Sequence, residues 1–231
     1  MRFRDRVDAG RRLAAALAKY KNLDPLILAL PRGGVAVAAE VAEAFQAPLD
    51  IILVRKIGAP YQPELALGAI VDGNEPVIVR NPRIIEGTAT DENTFRSLCQ
   101  DELKEIERRR KLYASERGSL ELRGRVVIVV DDGIATGATA RAALRALRAR
   151  SPEKLVLAVP VAPRDALQEF REMADDVVCL TDLGLAGAIG FFYDDFRQMT
   201  DKDVIDTLAH FPNRPLKKPS ALCPVEPSDG K

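Results

Sequence analysis

The sequence predicts an α/β fold, an open and mainly parallel sheet with helices on both faces, and three observations carry that prediction. Short apolar runs alternate along the chain with segments of helical periodicity. One of those runs, Val126-Val-Ile-Val-Val, is continuously apolar, as a parallel strand covered on both faces should be. Two of the runs end in loops of glycine and other small residues that open directly into helical segments, at Pro31-Arg32-Gly33-Gly34 and at Gly133-Ile-Ala-Thr136-Gly137.

Taken in order, Val7, Leu13, Ala14 and Leu17 recur at helical spacing, so the chain opens with an amphipathic helix. Residues 26–30 form a short apolar strand, and residues 35–45 continue as a helix. Residues 49–54, aliphatic and β-branched, read as a strand ending in Arg55-Lys56-Ile57-Gly58. Strand-like pieces follow near 66–71 and 77–80. Between 91 and 113, Phe95, Leu98, Cys99, Leu103, Ile106 and Tyr113 form a stripe, which predicts one long helix with charged outer faces. A strand at 126–130, a helix at 138–149, a strand at 155–159, a helix at 165–173 and a strand at 177–180 complete the alternation. Residues 182–199 are rich in glycine and aromatic rings, and Thr200 is placed to cap a final helix reaching about residue 208. One domain over residues 1–210 is expected, followed by a disordered proline-rich tail over 211–231 that carries Lys217-Lys218.

Bulk composition narrows the function. A chain of 231 residues, 47% hydrophobic and 29% charged, is ordinary for a globular protein. Lys plus Arg and Asp plus Glu each total 34, so nothing global draws it to nucleic acid or to an anionic membrane, and any anion site must be local. Cys99, Cys179 and Cys223 form no Cys-x-x-Cys pair and read as reduced thiols. No apolar run reaches membrane-spanning length and the start lacks the pattern of a signal peptide, so a cytoplasmic location is expected. The single histidine, His210, argues against multi-histidine metal sites and a Ser-His-Asp triad.

The chemistry concentrates after the strand at 126–130. That strand ends in adjacent carboxylates, Asp131 and Asp132, and the loop Gly133-Ile-Ala135-Thr136-Gly137-Ala138-Thr139 opens a helix at once. In open parallel sheets ligands bind beyond the carboxyl ends of the strands. A helix start with unpaired N–H groups suits an anion, and small residues let a phosphate approach the backbone. The carboxylates suit a sugar diol, or waters around Mg²⁺. A single helix cap needs only one carboxylate, and a second acid at a buried strand end costs energy unless a ligand uses it. Pro31-Arg32-Gly33-Gly34 is a second anion cradle at the same sheet edge. Arg55 and Lys56 are a third pointer, because cations at a buried strand end either reach solvent or meet an anion. The run Arg108-Arg109-Arg110-Lys111 suits a helix C-terminus and a solvated face. The P-loop lysine and the G-x-G-x-x-G fingerprint are both missing.

The segment Val126-Val-Ile-Val-Val-Asp131-Asp132-Gly-Ile-Ala-Thr136-Gly137-Ala-Thr139 closely resembles the phosphoribosyl pyrophosphate (PRPP) signature of the type I phosphoribosyltransferases. The resemblance extends over roughly residues 1–208 and implies that family's Rossmann-like sheet. It also implies a helical insertion (83–118) in place of the mobile loop and a C-terminal hood (181–208). The implied reaction is transfer of the 5-phosphoribosyl group from PRPP to a small nitrogenous acceptor, a nucleobase, with release of pyrophosphate through an oxocarbenium-like transition state. This would place the chain in nucleotide and nucleoside metabolism.

By the same resemblance, Asp131 and Asp132 hold the ribose hydroxyls, and Ala135, Thr136, Gly137, Ala138 and Thr139 wrap the 5′-phosphate. Arg32, Gly33 and Gly34, with Arg55 and Lys56, meet the pyrophosphate, where a strained or cis peptide near Arg32 is expected. Catalytic weight falls on Asp131, Asp132, Lys56 and Arg32. Arg108, Arg109 and Arg110 would belong to the segment replacing the mobile loop, and Phe192 or Tyr193 would stack on a base. Mg²⁺ would arrive with the substrate and meet Asp131 and Asp132. A rival reading is a non-catalytic PRPP- or nucleotide-binding regulator on the same fold. The sequence names neither the acceptor nor the oligomeric state, for which a homodimer is one option.

Overall fold

The computed structural model describes residues 1–73, 76–114, 121–184 and 187–211. Of the tail expected to be disordered, Phe211 is described and packs on the core, while the rest, with Cys223 and Lys217-Lys218, lies outside the described residues, as does the part of the 83–118 segment that follows Ala114.

Five parallel strands form the central sheet: β1 (Leu26–Ala29), β2 (Leu49–Ile51), β6 (Val126–Val130), β7 (Lys154–Ala162) and β8 (Asp176–Asp182), in the order β2-β1-β6-β7-β8. Ile27 pairs with Leu49 on one side and Ile128 on the other, so β1 is covered along both edges. The alternation of side chains divides the apolar residues between two cores. Ile27, Ala29, Ile128 and Val130 face one core with α1 (Arg6–Ala16), α2 (Gly34–Phe45) and α7 (Asp201–Ala209). Leu26, Leu28, Val127 and Val129 face the other, with α5 (Ala138–Arg148) and α6 (Arg164–Phe170). This is why the apolar run of β6 needs no polar residue at any position; all five side chains are buried.

The stretch read as one strand from 49 to 54 is divided. β2 ends at Ile51, and Val54–Ala59 begins a separate antiparallel sheet, β3, with β4 (Gln62–Val71) and β5 (Val77–Arg80). Hydrogen bonds from Ile52 N–H to the Ala29 carbonyl (3.0 Å) and from Asp72 N–H to the Leu53 carbonyl (2.9 Å) mark the hand-over from one sheet to the other. Arg55 and Lys56 therefore lie within an antiparallel strand rather than at the end of a parallel one. Helix α5 packs on one face of this small sheet and the long helix α4 (Glu92–Ala114) on the other, with the short α3 (Pro82–Gly87) between β5 and α4. The final helix starts where expected, and Thr200 and Asp203 form a reciprocal capping box.

The junction of the two sheets is held by Asp72, which is 2% exposed. Its carboxylate accepts from Leu53 N–H (2.8 Å) and from Arg110 Nε and Nη2 (3.0 and 2.7 Å), and its carbonyl accepts from Arg150. Burial pushes the Asp72 carboxyl up, while Arg110 pulls it down. Arg110 is thus a structural ion-pair partner, and Arg108 and Arg109 both pair with Glu105 on their own helix (2.8 and 2.7 Å). Truncating one partner of a buried pair strands the other. Asp72→Ala is expected to cost about 2–4 kcal/mol of stability, read by chemical denaturation; a loss below about 0.5 kcal/mol would show that the junction does not depend on this carboxylate.

Candidate functional site

Asp131 and Asp132 leave the end of β6 at the centre of the sheet edge, where the loop after β1 meets them. A Cβ placed on Gly33 would stand 1.9 Å from Asp132 Oδ2, so only glycine lets that loop lie against the carboxylate. The peptide between Pro31 and Arg32 is cis, the geometry expected near Arg32. The Arg32 guanidinium lies 3.6 Å from Asp201 at the start of α7, and Asp201 also accepts from the Tyr113 hydroxyl of α4. That hydroxyl bond, then Arg32, holds the Asp201 carboxyl below its ordinary value against the opposing effect of burial.

The two acids sit differently. Asp131 Oδ1 accepts from Asp132 N–H at 2.9 Å. Burial first, and then the charge of Asp132, raise the Asp131 carboxyl well above its ordinary value. Asp132 Oδ2 pairs with Arg6 Nε of α1 at 2.7 Å, and both side chains are under 15% exposed. The Arg6 guanidinium also lies over the ring of Phe196, 4.0 Å from its centre, and donates to the Arg197 carbonyl at 2.7 Å. Tyr193 donates its hydroxyl to the Asp132 carbonyl at 2.6 Å. Its burial raises its pKa, so it stays a protonated donor.

Arg6 was not legible as a site residue in the sequence. It stands 126 positions from Asp132 in a charged opening segment that reads as the start of a solvated helix. Of the two rings expected to stack on a base, Phe192 is half-buried and Tyr193 is buried in an aromatic cluster. Tyr193 is 3% exposed, stacked on Phe196 (4.8 Å between centres) and tilted against Phe3 (5.3 Å). Phe192 packs on the same cluster, and the well-exposed ring in this stretch is Phe191.

On the other side of the loop, Gly137 is the N-cap of α5 at φ +76°, a conformation suited to glycine. No side chain caps this helix, which leaves its first-turn N–H groups for a ligand. Thr136, Ala138 and Thr139 line a cavity of about 730 Å³ together with Lys56. Lys56 lies 3.4 Å from the exposed Glu64, whereas Arg55, one pleat away, turns to the opposite face and pairs with Glu102 of α4 at 2.6 Å. The structure brings Gly33 and Gly34 against Asp132 and Asp131, turns the neighbouring Arg32 side chain to Asp201, and places Lys56, Thr136, Ala138 and Thr139 in an adjoining cavity. It keeps Arg55, Arg108, Arg109 and Arg110 in ion pairs elsewhere.

A description of the phosphoribosyl transferase domain matches residues 3–192, and the chain belongs to that family. Two Mycobacterium tuberculosis proteins provisionally named phosphoribosyl transferases, from strains CDC 1551 and H37Rv, are each 46% identical over 203 residues. The match takes in 88% of this chain and 45% of theirs, so the chain spans about half the length of these curated relatives. The crystal structure of TT1426 from Thermus thermophilus superposes with a TM-score of 0.76 at 41% identity, over 91% of this chain and 99% of that one.

The raised Asp131 carboxyl has a consequence for stability. A carboxyl whose folded pKa exceeds its unfolded value favours the folded state only while protonated, so that contribution fades as pH rises from about 4 through the raised value. Asp131→Asn is therefore expected to raise the melting midpoint at pH 7, with the gain shrinking to nothing as pH falls towards 4. A midpoint that drops equally at both pH values would show that the carboxylate is not under electrostatic strain.

Proposed function

We propose that the chain transfers the 5-phosphoribosyl group from PRPP to a nitrogen acceptor, a nucleobase, with release of pyrophosphate. The observation that carries this reading is the convergence of two loops: the Asp131–Asp132 carboxylates lie against Gly33, and the uncapped start of α5 follows one loop later. A 5′-phosphate on the N–H groups of residues 135–139 puts the ribose over the two acids. Asp131 Oδ1 meets Asp132 N–H and Asp132 Oδ2 meets Arg6, so the other oxygen of each carboxylate is the acceptor for a ribose hydroxyl.

In the reaction the C1–O bond to pyrophosphate breaks, the acceptor nitrogen bonds to C1, and the acceptor's proton passes to solvent. The chain's task is to position both partners and to offset charge, with Lys56 and Arg32 on the leaving-group side. Mg²⁺, when bound, neutralises pyrophosphate charge. Among the described residues no cluster of three or more His, Cys, Asp or Glu forms a protein-only metal site, and Arg6 takes one Asp132 oxygen. This donor set fits a cation carried chiefly by the substrate's own oxygens, with Asp131 and Asp132 adding at most a side of its shell. Among the described residues no helix is long and apolar enough to cross a membrane.

One observation favours the rival reading of a non-catalytic PRPP- or nucleotide-binding regulator: an internal cation, Arg6, already occupies Asp132. Calorimetric titration of PRPP with Mg²⁺, followed by a pyrophosphate-release screen over purines, pyrimidines and other nitrogen acceptors, separates the two. Binding with release for one acceptor is expected; binding without release for any would favour the regulator. Asp131→Asn with Asp132→Asn should weaken PRPP binding on the order of 100-fold, the loss of two charge-assisted hydrogen bonds of about 1.5 kcal/mol each. Unchanged affinity would overturn the assignment. Lys56→Ala should lower turnover about tenfold while changing nucleoside monophosphate binding little, because the monophosphate carries no pyrophosphate. Equal losses in both would remove Lys56 from the leaving-group side.

A further inference from the structure

The cavity that takes Lys56, Thr136 and Thr139 into its wall extends well beyond them. It lies between one face of the β3–β5 sheet and the first turns of α5, and its volume of about 730 Å³ is in the range of small-molecule sites. It exists because the walls carry small residues where they approach: Ala66, Gly68 and Ala69 from β4, Ala138 and Ala142 from α5. Val54 and Val79 add an apolar surface on the strand side.

The charge is one-sided. Besides Lys56, the lining includes Arg80, Arg83, Arg141 and Arg145, and no carboxylate among the described residues lines it. The chain as a whole carries equal numbers of acidic and basic residues, so this is a local segregation. Two of the arginines are committed. Arg80 donates twice to Glu92 (2.8 and 2.7 Å), and Arg141 donates twice to Glu169 (2.5 and 2.6 Å). Arg83, in the first turn of α3, and Arg145, in the last turn of α5, are exposed and form no ion pair with a carboxylate among the described residues. Arg145 only feels the field of Glu169, which Arg141 already holds. Uncompensated guanidinium groups on a concave, partly apolar wall concentrate anions, and their planar forks match phosphate oxygens.

We propose that this cavity holds a second ligand site, centred on Arg83 and Arg145 and sharing Lys56, Thr136 and Thr139 with the phosphoribosyl donor site, and that it takes a nucleoside phosphate. The phosphate is held by Arg83 and Arg145, and the base lies on the apolar wall of Val54, Ala69 and Val79. The volume admits one nucleoside mono- or diphosphate. Thr136, Thr139 and Lys56 border both sites, so a ligand here acts on the same helix start that the donor phosphate would use, and any coupling must be reciprocal. The assignment rests on Arg83 and Arg145, which the donor-site reading does not use.

The test uses AMP, GMP, UMP and ADP as probes, titrated calorimetrically into Asp131→Asn/Asp132→Asn protein, which has the proposed donor acids disabled, with and without Arg83→Ser/Arg145→Ser. One probe is expected to bind the first protein at one equivalent and to lose at least about tenfold in affinity in the second. The exposed arginines can be replaced without opening the core, and an unchanged melting midpoint verifies that. If no probe binds, or if the arginine changes leave affinity as it was, the second site does not exist. If wild-type protein fails to bind PRPP while probe binding still follows Arg83 and Arg145, the donor reading falls and this one stands.

Discussion

Two carboxylates at the end of a strand buried on both faces are the constraint around which this structure is arranged. A desolvated carboxylate pair is costly unless cations and N–H donors face it, and the chain supplies these from segments far apart in sequence. Arg6 reaches Asp132 Oδ2 from the first helix and Asp132 N–H turns back to Asp131, while Gly33 lets a backbone loop lie against the Asp132 oxygen that Arg6 holds. The opening segment is also fixed to residues 192–195. Phe3 N–H donates to the Phe192 carbonyl at 2.7 Å, Asp194 N–H to the Phe3 carbonyl at 2.9 Å and Asp195 N–H to the Arg4 carbonyl at 2.8 Å. With Phe3, Tyr193 and Phe196 packed between them, the opening segment and the hood form one wall of the site. The same contacts that offset the electrostatic cost of the acids also build the rim above them.

A second arrangement supports the first from the side. The small antiparallel sheet would be a fragile appendage by itself, but α4 and α5 cover its two faces and its apolar residues enter both cores. Ile57, Leu67 and Ile70 join the core with Phe95, Cys99 and Ile106 of α4, while Val71 joins the core with Ala143 and Leu147 of α5. Asp72 sits at the seam and is bound by arginines from the ends of both helices. Lys56 is thereby carried on a braced strand, so its position relative to Thr139 is set by packing rather than by a loose loop. The arginine run on α4 acquires its meaning from this seam: it has one buried partner, in Asp72, and otherwise satisfies its own helix.

The parts of this arrangement visible in the sequence were those governed by local periodicity. The five apolar residues of β6, the stripe of α4 and the cap at Thr200 follow from rules acting within one element. The loop after Asp132 was legible for the same reason, since its glycine and small residues answer to the backbone they form. The break after Ile51 was not, because an aliphatic run of this kind carries no mark of where one sheet hands it to another. With it went the fate of Arg55 and Lys56. At a strand end both would reach the same edge, and only the resemblance set Lys56 ahead; inside a pleated strand adjacent side chains must point to opposite faces. Arg55 accordingly meets Glu102 and Lys56 the cavity. Arg6 lay beyond local rules altogether, since its partner is set by the tertiary fold.

The start of α5 is where these features of the structure meet. Gly137 holds the left-handed backbone that turns the loop into the helix, and a Cβ there would meet Phe170 at 2.8 Å, so the turn is fixed from beneath by the α6 side of the core. Its outer surface has two aspects. One continues the backbone that follows Asp132, and the other lines the cavity beside the small sheet, with Thr136 and Thr139 among the residues on that side. A single rigid turn is therefore shared by the carboxylate cluster and the arginine-lined cavity. Because α5 also packs on β3, β4 and β5, a change in the spacing between that sheet and the helix alters the cavity directly and the loop through the same backbone. Packed elements of this kind move as units rather than deform by degrees. Under the proposal of a second site, the element through which one site would sense the other is helix α5, whose start both share.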